Sequence, residues 1–291
     1  MADKKPAPEP LSVVLKRAGK KALGGGIAGA LAMVAQVALL MWMRTVMNYQ
    51  HANGMTTSEA FMALYNEGGI ARLYQGWQAA LLQAPLSRFG DTAANAGMLA
   101  VLAGVAWMPE GIKSFFASWA AAAFRILITP IDAVKTSLQV HGSLASLSTK
   151  IANEGILCLW TGALATSFAT FAGHYPWFVT YNYLQKLVPK PKGKVAGMMR
   201  NAFVGLCASA VSDVVSNGIR VVKTKIQTST VALSYMGAIS AIIAEDGIQG
   251  VFLRGLGTKL ITNGVSAMLF SVMWKYFEEM LTKKEDPKKS Q

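Results

Sequence analysis

Long apolar stretches alternate with short polar ones along the whole chain. Because about 20 apolar residues cross the hydrocarbon core of a bilayer as a helix, each long stretch predicts a membrane span. Backbone polar groups inside lipid need internal partners, so the pattern predicts an all-α bundle of six transmembrane helices. The six stretches are residues 22–48, 78–106, 111–139, 164–188, 197–227 and 257–282.

A short phrase recurs three times: an acid–glycine pair, then an aromatic residue, then a closing glycine. The closing glycines Gly76, Gly162 and Gly255 are 86 and 93 residues apart. Upstream of each phrase a basic residue ends an apolar stretch, and these residues are 91 and 88 positions apart: Arg44, Lys135 and Lys223. A shared period of about 90 residues predicts one unit repeated three times, with two spans in each.

The repeat also predicts the boundaries of the chain's parts. A short amphipathic segment precedes each acid–glycine pair, near residues 57–66, 143–153 and 233–244, and is expected to lie at the membrane interface. The predicted parts are a polar, basic N-terminal tail at 1–21, repeats at 22–106, 107–190 and 191–282, and a basic C-terminal tail at 283–291.

Composition supports a membrane protein and excludes several other classes. The chain is 53% hydrophobic and 15% charged, with a net charge of +13. Its basic clusters fall before the first span, after the fourth and after the sixth, where they would anchor one face to anionic headgroups, including bound cardiolipin or another anionic lipid. No nucleic-acid motif is present, and Cys158 and Cys207 have no metal-ligand spacing. With no nucleophile–base pattern either, neither an enzyme nor a cofactor is expected.

The end of the third span carries a more specific motif. It consists of Pro130, which predicts a helix kink, then Asp132 and Lys135 on one helical face, then Gln139. With the three phrases and their period, this motif resembles the mitochondrial carrier family over nearly the whole chain. The resemblance implies a threefold pseudosymmetric barrel of six helices around a cavity, and exchange of metabolites across the mitochondrial inner membrane by alternating access. It also implies termini in the intermembrane space, whereas counting basic residues alone would put that face in the matrix.

The resemblance implies a gate at the matrix end, in which an acid of one odd-numbered span pairs with a base of the next. The one such pair expected here is Asp132 with Lys223, because Met41 and Arg220 stand at the other two acid sites. The family also has a second gate at the opposite end, but no acid–base pair of that gate is present here. In the third repeat the charges are exchanged, with Lys275 at the acid site and Glu278 at the base site. The expected matrix-gate residues are Asp132, Lys135, Lys223, Arg44 and Arg220, with Gln139 and Gln227 bracing the pairs.

The cavity positions indicate a solute that is not a nucleotide. Seven residues past the closing glycines, where the family often has basic contacts, the chain has the uncharged Gln83, Ala169 and Thr262. Arg125 and Asp213 share one predicted depth, so they either pair with each other or contact a solute. The remaining candidates are Asp91, which with these two would suit a small zwitterion, Arg88, and His174, for which a packing role is the alternative.

Two functions therefore remain open at the level of sequence. One is a carrier of a small metabolite. The other is a non-transporting, carrier-derived subunit or scaffold of a larger inner-membrane assembly such as a respiratory complex, because alternating access needs two ends that close.

Overall fold

The computed structural model describes residues 10, 12–13, 16, 27–103, 105, 107–191 and 193–285. Most of the two predicted tails lies outside these residues. From residue 27 onward the described chain is helical, and a 3₁₀ turn at Ile156–Trp160 precedes α6. The helices are α1 Ile27–Asn53, α2 Thr57–Leu73, α3 Trp77–Ala103, α4 Glu110–His141, α5 Ala145–Glu154, α6 Ala163–Leu187, α7 Lys194–Thr228, α8 Tyr235–Leu253 and α9 Leu256–Glu285.

The six long helices α1, α3, α4, α6, α7 and α9 form a closed ring. Each packs against its neighbours in chain order, and α9 packs against α1. The first, third and fifth spans, which are α1, α4 and α7, also contact one another. The side-chain bonds among them lie near their C-terminal ends, for example from Asn48 to Gln139. We call this end of the ring, marked by Asn48, Asp132 and Lys223, the closed end.

The ring has an apolar outside and a polar inside. Five stretches are long and apolar enough to cross a membrane: residues 31–53, 112–141, 156–187, 199–228 and 235–270. The sixth span, α3, is less apolar because Gln83, Ser87 and Asp91 line an internal cavity. Large apolar side chains cover the outer face, including Leu82, Leu127, Phe168, Val215, Ile261 and Met268. This arrangement suits a membrane protein with a polar interior.

The closing glycines join one repeat to the next at three equivalent places. Their φ angles are +84°, +83° and +63° for Gly76, Gly162 and Gly255, a conformation that favours glycine. A Cβ on Gly76 would lie 3.2 Å from the carbonyl oxygen of Lys135, and one on Gly162 would lie 3.6 Å from that of Lys223. A Cβ on Gly255 would lie 3.2 Å from the carbonyl oxygen of Met47, one helical turn from Arg44. The threefold repeat of the sequence therefore corresponds to three equivalent contacts between neighbouring repeats.

The predicted short helices are present and two are longer than predicted. Those of the first and third repeats continue past the acid–glycine pair, with non-helical residues at Gly68, Gly69 and Gly247. In the second repeat the helix ends at Glu154 with Gly155 as its C-terminal cap. The helix is thus interrupted at each acid–glycine pair, and a further helical turn follows in every repeat, α-helical in the first and third and 3₁₀ in the second.

Candidate functional site

A polar cavity of about 440 Å³ lies inside the ring and receives side chains from all six long helices. Its described lining has twice as many basic residues as acidic ones. The acids are Asp91, Asp132 and Asp213, and the bases are Arg44, Arg125, Lys135, Arg220, Lys223 and Lys259. Charges inside a membrane protein are costly and commonly functional, so the cavity is the candidate site.

Asp132 is the centre of the closed end. It is 5% exposed and forms the predicted ion pair with Lys223 of α7. Its Oδ1 also accepts hydrogen bonds from Lys135 Nζ at 2.8 Å and from Gln83 Nε2 at 3.0 Å. Gln83 Oε1 in turn accepts from Lys135 Nζ at 2.9 Å. One carboxylate therefore links α3, α4 and α7, and Gln83, expected as a solute contact, forms part of this link.

The two glutamines do not brace the ion pair as expected. Gln139 Oε1 accepts a hydrogen bond of 2.6 Å from Asn48 Nδ2, so it joins α4 to α1. The side-chain oxygen and nitrogen of Gln227 are buried and have no hydrogen-bond partner among the described residues. Neither glutamine is hydrogen-bonded to Asp132 or Lys223 among the described residues, so the expected bracing is not observed.

Arg44 and Arg220 line the cavity without a carboxylate within 4 Å in the described part of the chain. Arg44 Nη2 lies 3.4 Å from Ser266 Oγ, and Arg220 Nε lies 3.5 Å from Ser216 Oγ. These are long contacts to neutral hydroxyls. The described lining of this end therefore has more cations than its one carboxylate, Asp132, can pair with.

The cavity wall has two further ion pairs, and neither joins Arg125 to Asp213. Arg125 forms a two-pronged contact with Asp91 of α3, with Nε to Oδ1 at 2.9 Å. Asp213 contacts Lys259 Nζ of α9 at 3.3 Å and accepts a 2.7 Å hydrogen bond from Asn263. The Arg125–Asp213 pair, one of the two alternatives that the sequence left open, is not formed, because the second and sixth spans, α3 and α9, supply a partner to each residue.

Lys259 is the functional candidate that the sequence analysis missed. It lies four residues past its closing glycine, at the position of Ala80 and Thr166 in the other repeats, and all three line the cavity. It is 3% exposed and its ammonium also contacts Asp213 O and Ser216 Oγ. Comparing this position among the repeats would have identified it.

The other predicted site residues have varied positions. Thr262 is 1% exposed and donates to the Thr258 carbonyl at 2.6 Å, away from the described cavity lining. His174 also lies outside that lining, and its Nδ1 is buried without a partner among the described atoms. Pro130 lies inside α4, as predicted. The side chain of Arg88 is outside the described residues.

At the opposite end of the ring, where the resemblance places a second gate, the described side-chain contacts of Gln185 form no ion pair. Gln185 Oε1 accepts from Arg200 Nη1 at 2.5 Å, which ties α6 to the start of α7. The side chains of Lys275 and Glu278 lie outside the described part of the structure. Gln185 therefore has a structural role at this end of the ring.

Basic side chains that no motif indicated tie each repeat to the next at the closed end. Arg72 of α2 donates to the Gln139 and Val140 carbonyls at the end of α4. Lys150 of α5, 2% exposed, donates to the Ile226 and Ser229 carbonyls at the end of α7. At the third junction Lys225 of α7 donates to Ala52 O of α1. Cations at helix C-termini neutralise carbonyls that lack an intrahelical partner.

Comparison with known proteins agrees with this geometry. A sequence model described as mitochondrial carrier protein matches residues 108–192 and 194–285, more than half of the chain. The mitochondrial RNA-splicing protein MRS3 of Saccharomyces cerevisiae is 29% identical over 143 residues, 46% of this chain and 45% of that protein. The human mitochondrial glycine transporter is 26% identical over 167 residues, 54% and 53% of the two chains. The mitochondrial ornithine transporter 1 of S. cerevisiae is 28% identical over 153 residues, which are 46% of this chain and 51% of that protein. The chain thus spans about half the length of each of these relatives.

Proposed function

Because the chain belongs to the mitochondrial carrier family, we propose that it carries a small metabolite across the mitochondrial inner membrane by alternating access. Its termini then lie in the intermembrane space and its closed end faces the matrix. A carrier does not alter its solute chemically, so this function is not enzymatic. Anionic lipid, cardiolipin included, is the expected partner of the basic membrane-facing ends.

The observation that carries this proposal is the ion pair between Asp132 and Lys223 at the floor of a polar cavity. It joins two odd-numbered spans that lie in different repeats. Alternating access needs contacts that form when one end closes and break when it opens, and an inter-repeat ion pair is such a contact. Lys135 and Gln83 are positioned to hold the carboxylate when Lys223 moves away.

The lining favours a small solute over a nucleotide. Among the described lining residues, His51 has the one aromatic ring, so a base would have little surface on which to stack. The zwitterion interpretation loses its basis, because Asp91 and Asp213 are already neutralised by Arg125 and Lys259. The relatives named as glycine and ornithine transporters support a small solute, without identifying it.

Reconstitution tests the function. The purified full chain in liposomes should exchange at least one radiolabelled solute from a panel of amino acids, organic acids and phosphate. The variant Lys223→Gln should slow that exchange at least tenfold, whereas Lys190→Gln, which removes one exposed cation between α6 and α7, should not. If no solute moves while another carrier works in parallel liposomes, transport is refuted.

One observation favours the scaffold as a second candidate. The described part of the second gate has a neutral contact through Gln185, whereas the closed end is tied at all three junctions by Arg72, Lys150 and Lys225. A barrel that stays shut would suit a subunit of a larger inner-membrane complex. Stable co-migration with a respiratory complex in mild detergent, together with absence of transport, would support that role. A freely diffusing monomer would contradict it.

A further inference from the structure

The interface between α6 and α7 is closely packed from the closed end of the ring to the opposite end. Four positions of α6 and its N-terminal cap face four positions of α7 in antiparallel order: Gly162 and Lys223, Gly173 and Ser212, Trp177 and Ser209, Gln185 and Arg200. A Cβ on Gly173 would lie 2.9 Å from Ser212 Oγ, and Trp177 Nε1 donates a 3.2 Å hydrogen bond to Ser209 Oγ. The steps between these positions are 11, 4 and 8 residues along α6 and 11, 3 and 9 along α7. The two helices therefore lie side by side in one register over the whole interface.

Arg200 of α7 holds this interface at the opposite end of the ring. Its side chain is 8% exposed, and all three guanidinium nitrogens donate hydrogen bonds. Nε donates to the carbonyls of Val188 and Pro189 at 2.9 and 3.0 Å, and Nη2 donates to those of Gln185 and Val188 at 2.7 and 2.6 Å. Nη1 donates to Gln185 Oε1 at 2.5 Å and to Asn201 Oδ1 at 3.2 Å. Five of these six bonds reach the end of α6 or the two residues directly after it.

The local sequence explains why an arginine of the next helix takes this position. The last carbonyls of a helix lack intrahelical partners, and Pro189 and Pro191 in the linker after α6 have no N–H to offer them. A cation at a helix C-terminus is also favoured by the helix dipole. A guanidinium has five donors in fixed directions, so Arg200 can hold several carbonyls at once, whereas an ammonium group is a single point of contact.

We propose that Arg200 locks α6 and α7 into one rigid unit, so that α6 does not swing by itself at the opposite end of the ring. Gln185 lies at a position where the resemblance places a base of the second gate, but its side chain and its carbonyl are both held by Arg200. A movement of α6 alone would break five hydrogen bonds to a buried cation, and hydrogen bonds to charged groups are the costly ones to lose. Any closure of this end therefore moves α7 together with α6.

The rigid unit does not depend on the proposed transport. A carrier would move α6 and α7 as one body, and a scaffold would keep both still. In either case Arg200 is a positioning residue that acts through the end of α6 and needs no contact with a solute.

Distances between spin labels in the full chain, measured by pulsed electron paramagnetic resonance in lipid nanodiscs, test the rigid unit. Cys158 and Cys207 are first replaced by alanine, so that only introduced cysteines carry labels. One labelled pair, Leu187→Cys with Val211→Cys, spans the α6–α7 interface, and a second, Leu187→Cys with Val101→Cys, spans from α6 to α3. All three label positions are exposed. Asp132→Asn, which loosens the closed end, supplies a second state without a ligand.

With Arg200 in place, the α6–α7 pair should give one narrow distance distribution that Asp132→Asn does not change. Arg200→Gln should roughly double the width of that distribution, because the five bonds that hold the end of α6 are lost. Arg200→Lys keeps the charge but loses the fork of donors, so it should also broaden the distribution, and it remains informative if Arg200→Gln does not fold. Lys186→Gln removes an exposed cation from the last turn of α6 and should leave the width unchanged.

The rigid unit is refuted if Asp132→Asn shifts the α6–α7 distance while Arg200 is intact. It is also refuted if both Arg200 variants keep the narrow distribution of the wild type. The α6–α3 pair reports separately on transport. A shift of that distance in Asp132→Asn, with a constant α6–α7 distance, shows the unit moving as one body, whereas a constant α6–α3 distance counts against the carrier and leaves the Arg200 variants to decide on the rigid unit.

Discussion

Replacing Asp132 with asparagine should destabilise the protein more than the loss of any exposed acid. Asp132→Asn keeps the size of the side chain and one acceptor oxygen, but removes the charge that two ammonium groups share. Lys135 and Lys223 would then remain beside each other, and the neutral Gln83 is a partner of Lys135 only. Asp132 is 5% exposed, so water can replace the lost charge only in part.

Two independent arguments give the same magnitude. Removing one partner of a buried ion pair costs about 3–5 kcal/mol. Two ammonium groups that bind one carboxylate are roughly 5 Å apart, and at an effective dielectric constant of about 20 their repulsion is about 3 kcal/mol. We therefore expect a loss of about 3 kcal/mol in unfolding free energy, which lowers the melting temperature by about 6 °C or more.

The assay is thermal unfolding in detergent of wild type, Asp132→Asn, Lys223→Gln and the double variant. In the double variant one unpaired ammonium is gone, so it should be more stable than Asp132→Asn, with a coupling of about 1–3 kcal/mol. Glu154→Gln, a change of acid to amide at an exposed helix end, is the control and should stay within about 0.5 kcal/mol of wild type. If Asp132→Asn has the same melting temperature as this control, Asp132 is not the centre of the closed end. The same conclusion holds if the effects of Asp132→Asn and Lys223→Gln simply add in the double variant.

Three further predictions concern stability, and the same unfolding assay checks each of them. Lys150→Met should cost about 2 kcal/mol, because it removes a buried charged donor from two carbonyls at the end of α7; no loss would contradict the proposed tie. Gly162→Ala should cost about 1–2 kcal/mol, because its φ is +83° and its Cβ would crowd the next repeat, whereas Gly257→Ala, with open space around it, should be neutral or stabilising. Gln227→Leu should raise stability by about 1 kcal/mol, since its buried amide has no partner among the described residues, and a loss would reveal a partner for it.

The ring could be predicted from sequence because the residues that recur with the repeat also make equivalent contacts in each repeat. Gly76 and Gly162 precede the basic residues Lys135 and Lys223 of the next repeat by 59 and 61 residues, and each packs against the backbone of that residue. A glycine that is required because two backbones approach closely recurs in every repeat and can be recognised in the sequence. The pair of Asp132 and Lys223, which the family resemblance implied, is present.

The partners on the cavity wall could not be predicted in this way. Equal depth placed Arg125 and Asp213 at one level, but depth does not say which neighbouring helix lies beside each side chain. Arg125 turns to Asp91 of α3, and Asp213 turns to Lys259 of α9. Both partners come from the second and sixth spans, whose positions around the ring are set by packing and are not indicated by any motif.

The unequal loss of charges in the three repeats connects these observations. The basic position is occupied in every repeat, by Arg44, Lys135 and Lys223, whereas the acidic position is occupied only by Asp132. If the closed end had become a purely structural contact, the unpaired cations would only reduce stability, and apolar residues would serve better there. Arg220 goes further, because it adds a cation at the acid position itself. A surplus of arginine facing a polar cavity is costly, so these cations favour the carrier over a purely structural subunit.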